Sequence, residues 1–220
     1  MTDKIIEKHI GKWTPILKHL FYDARLDETF KKLGNFTPGP DYMFRAFREC
    51  PPKEVKLVIF GQDPHSQKGV ADGLTFSCSR KNIEKESLKI LKNAIYQEGI
   101  HDFEHRDWEV TDLTYLAKQG VLLLNTALTC KIGHPGSHIE VWDWFIKEVL
   151  EAIQHMNLQY ILYGNKAQDL EPNIIGTIHK GYHPIDDKHE FKTLFMDTNL
   201  KLDWLPNTDT YDPTHYELMI

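Results

Sequence analysis

The sequence is poor in cysteine and has no long apolar run. Its three cysteines lie far apart with no CxxC pair, namely Cys50, Cys78 and Cys130. An odd number of scattered cysteines argues against a disulfide framework or a zinc site, so we predict reduced thiols. No apolar run approaches the ~20 residues that span a membrane. The start, MTDKIIEKHI, lacks the apolar segment of a secretory signal, so we expect a cytoplasmic protein without membrane contact.

The sequence also lacks an excess of positive charge. Lysine and arginine total 26 against 32 acidic residues, which gives a net charge of −6. Proteins that bind nucleic acid without sequence preference usually present a basic face. Any DNA groove must therefore be local, built from loops such as Ser79–Lys81 and Lys131. There are no internal repeats, and the apolar content of 41% is ordinary for a globular chain.

Apolar segments alternate with segments of helical spacing, which indicates an α/β fold. The helical spacing predicts two helices within residues 3–33, a short one near 42–47, one over 83–98, one from about 138 to 157, and a closing helix over 191–202. In the helix over 83–98, Ser87 is placed to act as a cap. Four apolar runs predict the strands of a parallel sheet: Val55–Phe60, Gly120–Leu128, Leu158–Gly164 and Ile174–Ile178.

Polar residues follow two of these strands directly. Asp63 comes just past the carboxyl end of Val55–Phe60, which is where open α/β sheets bind their ligands. The surrounding Gly, Pro and Ser residues would equally suit an ordinary surface turn. Asn125 follows Leu122–Leu124, and a buried amide destabilises a fold unless its hydrogen bonds are used. That amide is either satisfied within its own loop or reserved for a ligand.

Several motifs, in the same order and at matching spacings over residues 10–205, resemble those of the uracil-DNA glycosylase family, which excises uracil from DNA. They are GQDP at 61–64, GLTFS at 73–77, LLLNTALT at 122–129 and the His-Pro pair at 183–184. The resemblance implies a single domain over residues 1–220, with a central four-stranded parallel sheet flanked by helices on both faces. It also implies a monomer that needs no metal or organic cofactor.

The resemblance assigns roles to residues around a flipped-out uracil. Asp63 would stabilise positive charge on the sugar and orient the attacking water, and His183 would donate a hydrogen bond to uracil O2. Phe76 would stack on the base, the backbone near Gln62 would donate further hydrogen bonds, and Asn125 would distinguish uracil from cytosine. Asp63 and His183 follow different strands, so we expect those strands to be neighbours.

The partners implied are uracil-containing DNA, preferably single-stranded, and a protein inhibitor that mimics DNA. The residues implied to contact DNA are Ser87, Ser137, His138, Ile185 and Asp187. For Ser87, helix capping and contact with a phosphate are both open. His134 and His138 make a poor metal pair, because Pro135 and Gly136 interrupt any helix between them and no carboxylate or cysteine cluster joins them.

The chain departs from the family pattern in two places. His65 and Ser66 stand where the family has tyrosine and histidine, which predicts weaker rejection of 5-substituted uracils. Ile185, Asp186 and Asp187 replace the residues after the family's His-Pro pair, and Asp187 takes the place of a leucine that fills the gap left by the flipped base. Two alternatives therefore stay open: a weakly active or inactive DNA-binding protein on the same scaffold, and an enzyme with a different base range.

Overall fold

The computed structural model describes residues 2–78, 84–99 and 110–206. Within these ranges a four-stranded parallel sheet has the order β3-β2-β5-β6. Its strands are β2 (Leu57–Gly61), β3 (Val121–Asn125), β5 (Leu158–Tyr163) and β6 (Gly176–Gly181). A separate antiparallel pair joins β1 (Phe36–Thr37) to β4 (Cys130–Lys131). The α/β class and the parallel sheet predicted above are confirmed.

Strands β2 and β3 are covered on both faces, and the edge strand β6 is not. Every residue of β2 and β3 is buried, which explains why both sequences read as continuous apolar runs. In β6 the residues are exposed or half-buried, as is usual for an edge strand. The fourth strand begins and ends later than its apolar run suggested, at Gly176–Gly181 rather than Ile174–Ile178.

Helices surround the sheet. They are α1 (Asp3–Ile10), α2 (Thr14–Phe21), α3 (Ala24–Leu33), α4 (Arg45–Glu49), α5 (Glu86–Gln97), α6 (Thr114–Ala117), α7 (Ile139–Ile153) and α8 (Asn165–Gln168). Short 3₁₀ turns cover Gly11–Trp13, Gln154–Met156, Glu171–Asn173 and Met196–Thr198. The aromatic residues of α7 belong to the core, since Trp142 and Phe145 are fully buried. Within the described ranges, each helix is too short or too polar to span a bilayer.

The amino-terminal region contains three helices, so the prediction of two was wrong. The missed boundary lies between α2 and α3, where the Asp23 carboxylate accepts a hydrogen bond of 2.8 Å from the Arg25 N–H. This cap starts a new helix at Ala24. Pro15 does not interrupt α2, because it lies in the first turn of that helix, where proline is tolerated.

The predicted closing helix over 191–202 was also wrong, because only Met196–Thr198 forms a 3₁₀ turn. Thr193 uses its backbone N–H and its hydroxyl to bind the Glu98 carboxylate, across 95 residues of sequence. Leu194 and Asn199 have positive φ, which interrupts any helix. The contact with Glu98 therefore outweighs the helical spacing of the apolar residues.

The three cysteines are free and buried. Burial raises the pKa of each thiol to about 12. Thiols in such surroundings stay protonated and are poor nucleophiles. The prediction of reduced, unpaired cysteines is confirmed.

Candidate active site

Polar side chains gather at the carboxyl ends of the parallel strands. Gly61 of β2 pairs with Asn125 of β3, so both strands end at the same level. A Cβ on Gly61 would lie 2.2 Å from the Thr75 hydroxyl oxygen and 2.8 Å from the Asn125 amide oxygen. Only glycine fits there, and this close packing places Asn125 next to the start of the loop that carries Asp63.

The strands that carry Asp63 and His183 are not neighbours, so that expectation was wrong. Strand β5 lies between β2 and β6. The two side chains still converge, because β5 ends at Tyr163 and is followed by Gly164 with φ of 81°. A Cβ on Gly164 would lie only 3.1 Å from the His183 Cβ. The absence of a side chain on Gly164 lets the imidazole lie over the end of the intervening strand.

The half-buried Asp63 carboxylate is held by two donors. It accepts hydrogen bonds from the Gly136 N–H and from the Gln62 side-chain amide, the latter at 3.1 Å. Burial raises the pKa of Asp63, while these two hydrogen bonds and His183 act in the opposite direction. The site thus keeps a fixed carboxylate in a poorly solvated position, where its charge acts strongly on a bound group.

The tautomer of His183 follows from a backbone contact. Its Nδ1 accepts a hydrogen bond of 3.3 Å from the Ile185 N–H, which leaves the proton of a neutral ring on Nε2. Burial lowers the pKa of His183, with Asp63 and Asp186 opposing that shift. A neutral imidazole with a free Nε2–H donor is the form that this arrangement favours.

Phe76 stands beside the imidazole. Its ring centroid lies 6.1 Å from that of His183 and 5.6 Å from that of Tyr163. Phe76 has φ of 62°, a conformation that a bulky side chain adopts only when its surroundings impose it. Its residual exposure is 8%. The strained backbone conformation of Phe76 therefore holds its aromatic ring next to the polar groups of the site.

Asn125 keeps its amide unused. The residue is 6% exposed, and its side chain has no hydrogen bond to another residue within 2–78, 84–99 and 110–206. The amide is therefore not bonded within its own loop, and a ligand with complementary donors and acceptors could use it.

His65 lies close to the same groups, since Phe76 and His183 both influence its pKa. Its Nε2 atom is buried and has no hydrogen-bond partner in the described part of the chain. Burial, together with the charge of Lys85, lowers the pKa of His65 to about 4. The ring is therefore neutral near pH 7 and has an unused polar atom.

Three of the residues predicted to contact DNA have internal neighbours. Ser87 is buried in the first turn of α5, and the cap position belongs to Lys85, so the prediction of capping by Ser87 was wrong. Ser137 is exposed, and its oxygen accepts a hydrogen bond of 2.8 Å from the Lys131 N–H. His138 is 4% exposed and lies 2.9 Å from the Thr129 hydroxyl, which also accepts from the Trp142 indole.

The other two lie on the segment Tyr182–His189, called here the outer loop. Ile185 is 60% exposed, and Asp187 is exposed as well. The rings of Tyr182 and His189 stack at 3.8 Å at the ends of this loop. Nearby, Phe191 packs on Tyr163 at 5.3 Å and is held against the core.

A polar cleft of about 440 Å³ opens next to the site at Thr126. Its lysines are paired, Lys147 with Asp143 at 2.7 Å and Lys166 with Asp169 at 3.5 Å. The cleft is therefore not strongly positive. The basic loop Ser79–Lys81 lies outside the described residues. Within the described ranges, no group of three or more His, Cys, Asp or Glu residues is placed to hold a metal ion.

Sequence reasoning missed three residues that shape the site. Tyr163 reads as an ordinary apolar strand residue, and its contact with Phe76 is long-range. Gly164 and Gly136 read as turn residues, although the first makes room for His183 and the second donates to Asp63. The available signal was their position, because Tyr163 and Gly164 end a predicted strand and Gly136 directly precedes Ser137, which was predicted to contact DNA.

Comparison with known proteins points to one family. The model described as Uracil DNA glycosylase superfamily matches residues 47–199. A Uracil-DNA glycosylase 1 from Listeria monocytogenes is 40% identical over 160 residues, 69% of each chain. A uracil-DNA glycosylase from Borrelia turicatae is 36% identical over 179 residues, 71% of this chain and 73% of the relative.

Solved structures of the same kind share the fold. The mimivirus uracil-DNA glycosylase has a TM-score of 0.71 at 20% identity, covering 84% of this chain and 71% of its own. The UNG of Nitratifractor salsuginis has a TM-score of 0.62 at 24% identity, covering 83% and 86%. A variant of mimivirus UNG in complex with UGI has a TM-score of 0.72 at 20% identity, covering 84% and 73%.

Proposed function

This chain belongs to the uracil DNA glycosylase superfamily, and on that premise we propose that it hydrolyses the N-glycosidic bond of flipped-out uracil in DNA, the first step of base excision repair. The observation that carries the proposal is the convergence of Asp63, His183 and Phe76 at one end of the sheet. A carboxylate, a neutral imidazole and an aromatic face are the three groups that this reaction needs.

Cleavage of this bond separates charge. The bonding electrons leave with the base, so the sugar becomes positive and the uracil negative in the transition state. Asp63 supplies the anion near the sugar, fixed by Gly136 and Gln62. Water then adds to the sugar carbon, with Asp63 placed to orient it and accept its proton. The products are free uracil and an abasic site.

His183 stabilises the departing base. Its Nδ1 is occupied by the Ile185 N–H, so Nε2–H is the donor directed at uracil O2. A neutral donor is suitable because the lowered pKa of His183 removes the need to bury a second charge beside the base. The imidazole and the backbone donors near Gln62 together form a hydrogen-bonding site for developing negative charge.

Base selection rests on Phe76 and Asn125. The Phe76 ring offers a face on which the flipped base stacks. The Asn125 amide, which has no partner among the described residues, can donate to uracil O4 and accept from N3–H, a pattern that cytosine does not match. Recognition of uracil would thus satisfy an amide that the protein itself leaves without partners.

We extend the proposal to the 5-position of the base. His65 occupies the place of the family's tyrosine, which packs beside uracil C5. A smaller, neutral ring makes a lower steric barrier, and a methyl group in a hydrophobic pocket changes discrimination by only ~1–3 kcal/mol. We therefore expect 5-substituted uracils to be accepted better than by family members that carry the tyrosine.

We also propose a preference for single-stranded DNA. Asp187 stands where the family has a gap-filling leucine, and its charge would repel flanking phosphates. Phe191 is packed on Tyr163 and is not free to take the leucine's place. Unstacking a base from a duplex costs a few kcal/mol, and this loop offsets that cost poorly.

The remaining DNA contacts are assigned to backbone more than to side chains. Ser87 lies in the first turn of α5, whose free N–H groups attract a phosphate. Ser137 and His138 begin the segment leading into α7, and Ile185 is exposed beside His183. The UGI complex of a mimivirus relative supports our proposal that a DNA-mimicking protein inhibitor binds this same face.

Base release from labelled oligonucleotides tests the proposal. A single-stranded oligonucleotide with one uracil should give free uracil and an alkali-labile strand, while matched strands with thymine or cytosine should not be cut at comparable rates. Asp63→Asn, purified identically, controls for contaminating activity. If wild-type protein binds the uracil strand but releases no base, the chain is a DNA-binding protein on a glycosylase scaffold.

A further inference from the structure

A buried ion cluster lies beneath the segment that carries Phe76. At its centre is Arg45, which is 2% exposed and faces three carboxylates. Its guanidinium lies 3.1 Å from Asp72, 3.0 Å from Asp112 and 3.3 Å from Glu49. The four charged residues of this cluster lie outside the motifs that resemble the glycosylase family, and none of them takes part in the reaction described above.

Asp72 is fully buried and directs every one of its hydrogen bonds to this segment or to Arg45. One oxygen accepts from the Leu74 N–H at 3.1 Å, and the other accepts from the Ser77 hydroxyl at 2.6 Å and faces Arg45. Arg45 also donates to the Asp72 carbonyl at 3.4 Å. The carboxylate thus spans the residues on both sides of Phe76.

The segment is fixed at its ends as well. Gly73 has φ of 92° and presses on the chain at Tyr42, since a Cβ there would lie 1.9 Å from the Tyr42 carbonyl oxygen. The Ser77 hydroxyl oxygen accepts from the Leu113 N–H at 3.0 Å, and the Cys78 N–H donates to the Thr111 carbonyl at 2.9 Å. Phe76 lies between these anchors.

The cluster is a poor device for stability alone. Burial raises the pKa of Asp72, and the neighbouring Asp112 adds to that shift while Arg45 opposes it. A carboxyl group whose pKa is raised by folding stabilises the fold below its unfolded pKa, and that contribution is lost as the pH rises through the folded pKa. The carboxylates in turn raise the pKa of Arg45 against the effect of burial, so attraction and desolvation oppose each other within the cluster. Stability alone is therefore a weak explanation for the position of Asp72.

We propose that Asp72, held by Arg45, is a positioning residue that keeps the Phe76 ring in place as the stacking surface for the base. The inference rests on the proposed function, because stacking matters only if a flipped base is bound. It also has a physical basis of its own, since the strained φ of Phe76 must be imposed by contacts on both sides.

The test is Asp72→Asn, which has nearly the same shape. One amide oxygen cannot serve the Leu74 N–H, the Ser77 hydroxyl and Arg45 at once, so one donor faces another. The matched control is Glu49→Gln, which also removes one carboxylate charge that faces Arg45 but has no contact with the segment that carries Phe76. We expect kcat/KM for single-stranded uracil DNA to fall at least tenfold in Asp72→Asn and by less than twofold in Glu49→Gln, since small misplacements are costly in active sites.

A double-mutant cycle separates positioning from general weakening. In a Phe76→Ala background, Asp72→Asn should lower kcat/KM by less than twofold, because the ring it positions is gone. Equal losses in both backgrounds, or no loss in either, would overturn the proposal. If Asp72→Asn does not fold, Ser77→Ala cuts the same connection with a smaller change and replaces it in the cycle.

A readout independent of activity keeps the two proposals apart. Fluorinated phenylalanine at position 76 should give one narrow ¹⁹F resonance in the wild-type background and in Glu49→Gln. It should broaden or split in Asp72→Asn. If wild-type protein releases no uracil, the proposed function fails, and the resonance still decides the positioning role. An unchanged resonance in Asp72→Asn refutes that role even in an active enzyme.

Discussion

The two sides of the site are built in different ways. Asp63, Phe76 and Asn125, called here the inner wall, come from the ends of the buried strands β2 and β3 and from the loop that follows β2. Their backbones are fixed by close contacts, such as the one between Gly61 and Thr75. The outer loop follows the exposed edge strand β6, and its contacts are mainly internal, such as the stack of Tyr182 on His189.

This difference suggests a division of roles, in which the inner wall carries out the reaction and the outer loop determines how the DNA strand is engaged. The inner wall matches the motifs of the glycosylase family and, in the proposed function, would supply the carboxylate, the stacking ring and the base-reading amide. The outer loop supplies His183 and otherwise departs from the family at Ile185, Asp186 and Asp187. A protein that keeps one side and changes the other should retain the reaction on a flipped base and change how the base is obtained from DNA.

The largest effect should come from removing the charge of Asp63 or the donor of His183. Asp63→Asn should lower kcat by a factor on the order of 10³, and His183→Ala by about 10², because each group acts mainly in the transition state. Uracil release under single-turnover conditions measures both. Thermal unfolding should be little changed. Near wild-type turnover in Asp63→Asn would show that the inner wall does not carry the chemistry.

The next effect tests base reading by the inner wall. Asn125→Asp should lower uracil excision by about 10²-fold, because a carboxylate cannot donate to uracil O4 and repels it. It should permit some release of cytosine, whose amino group can donate a hydrogen bond to the carboxylate. Asn157→Asp is the matched control, with the same charge change at the opposite end of β5. Unchanged uracil activity in Asn125→Asp would remove its assigned role.

The inner wall could be predicted from sequence because its parts are local. Continuous apolar runs identify β2 and β3, and the polar residue that follows each strand is placed by chain connectivity alone. Both strands end at the same level because they pair in parallel with Gly61 opposite Asn125. Parallel pairing of two similar runs brings the residues that follow them to the same edge of the sheet. The buried amide of Asn125 was visible as a polar residue ending an apolar strand.

The rest depends on contacts between residues far apart in sequence. Nothing local indicates that β5 separates the strands of Asp63 and His183, or that Gly164 lets them meet across it. The binding of Thr193 by Glu98, which prevents the closing helix, spans 95 residues. The salt bridge between Arg45 and Asp72 is of the same kind. Helical spacing and motif spacing carry no information about such pairs.

A smaller effect tests whether His65, next to the inner wall, controls access to the 5-position of the base. His65→Tyr should restore rejection of thymine and other 5-substituted uracils by about tenfold to a hundredfold, the range expected for one methyl group against a pocket wall. Uracil itself should be released at a similar rate by both proteins. Competition between uracil and 5-substituted uracil in otherwise identical single strands gives the ratio directly. Equal and complete rejection before and after the change would show that His65 does not form this wall.

The smallest effect concerns the outer loop, at Asp187. Wild-type protein should release uracil faster from single strands than from matched duplex. Asp187→Leu should recover part of the duplex rate, by a few-fold, because an apolar side chain can fill the gap left by the base without burying a charge. The single-strand rate should change little, since no stack has to be filled there.

Asp187→Ala separates the two reasons for this effect, since it removes the charge but cannot fill a gap. If repulsion of phosphates dominates, alanine should match leucine, and the gain of both should shrink as salt rises. If gap filling dominates, only leucine should help, at any salt. A wild-type duplex rate equal to the single-strand rate would mean that another group fills the gap. Ile185, apolar and exposed on the same loop, is then the residue to change next.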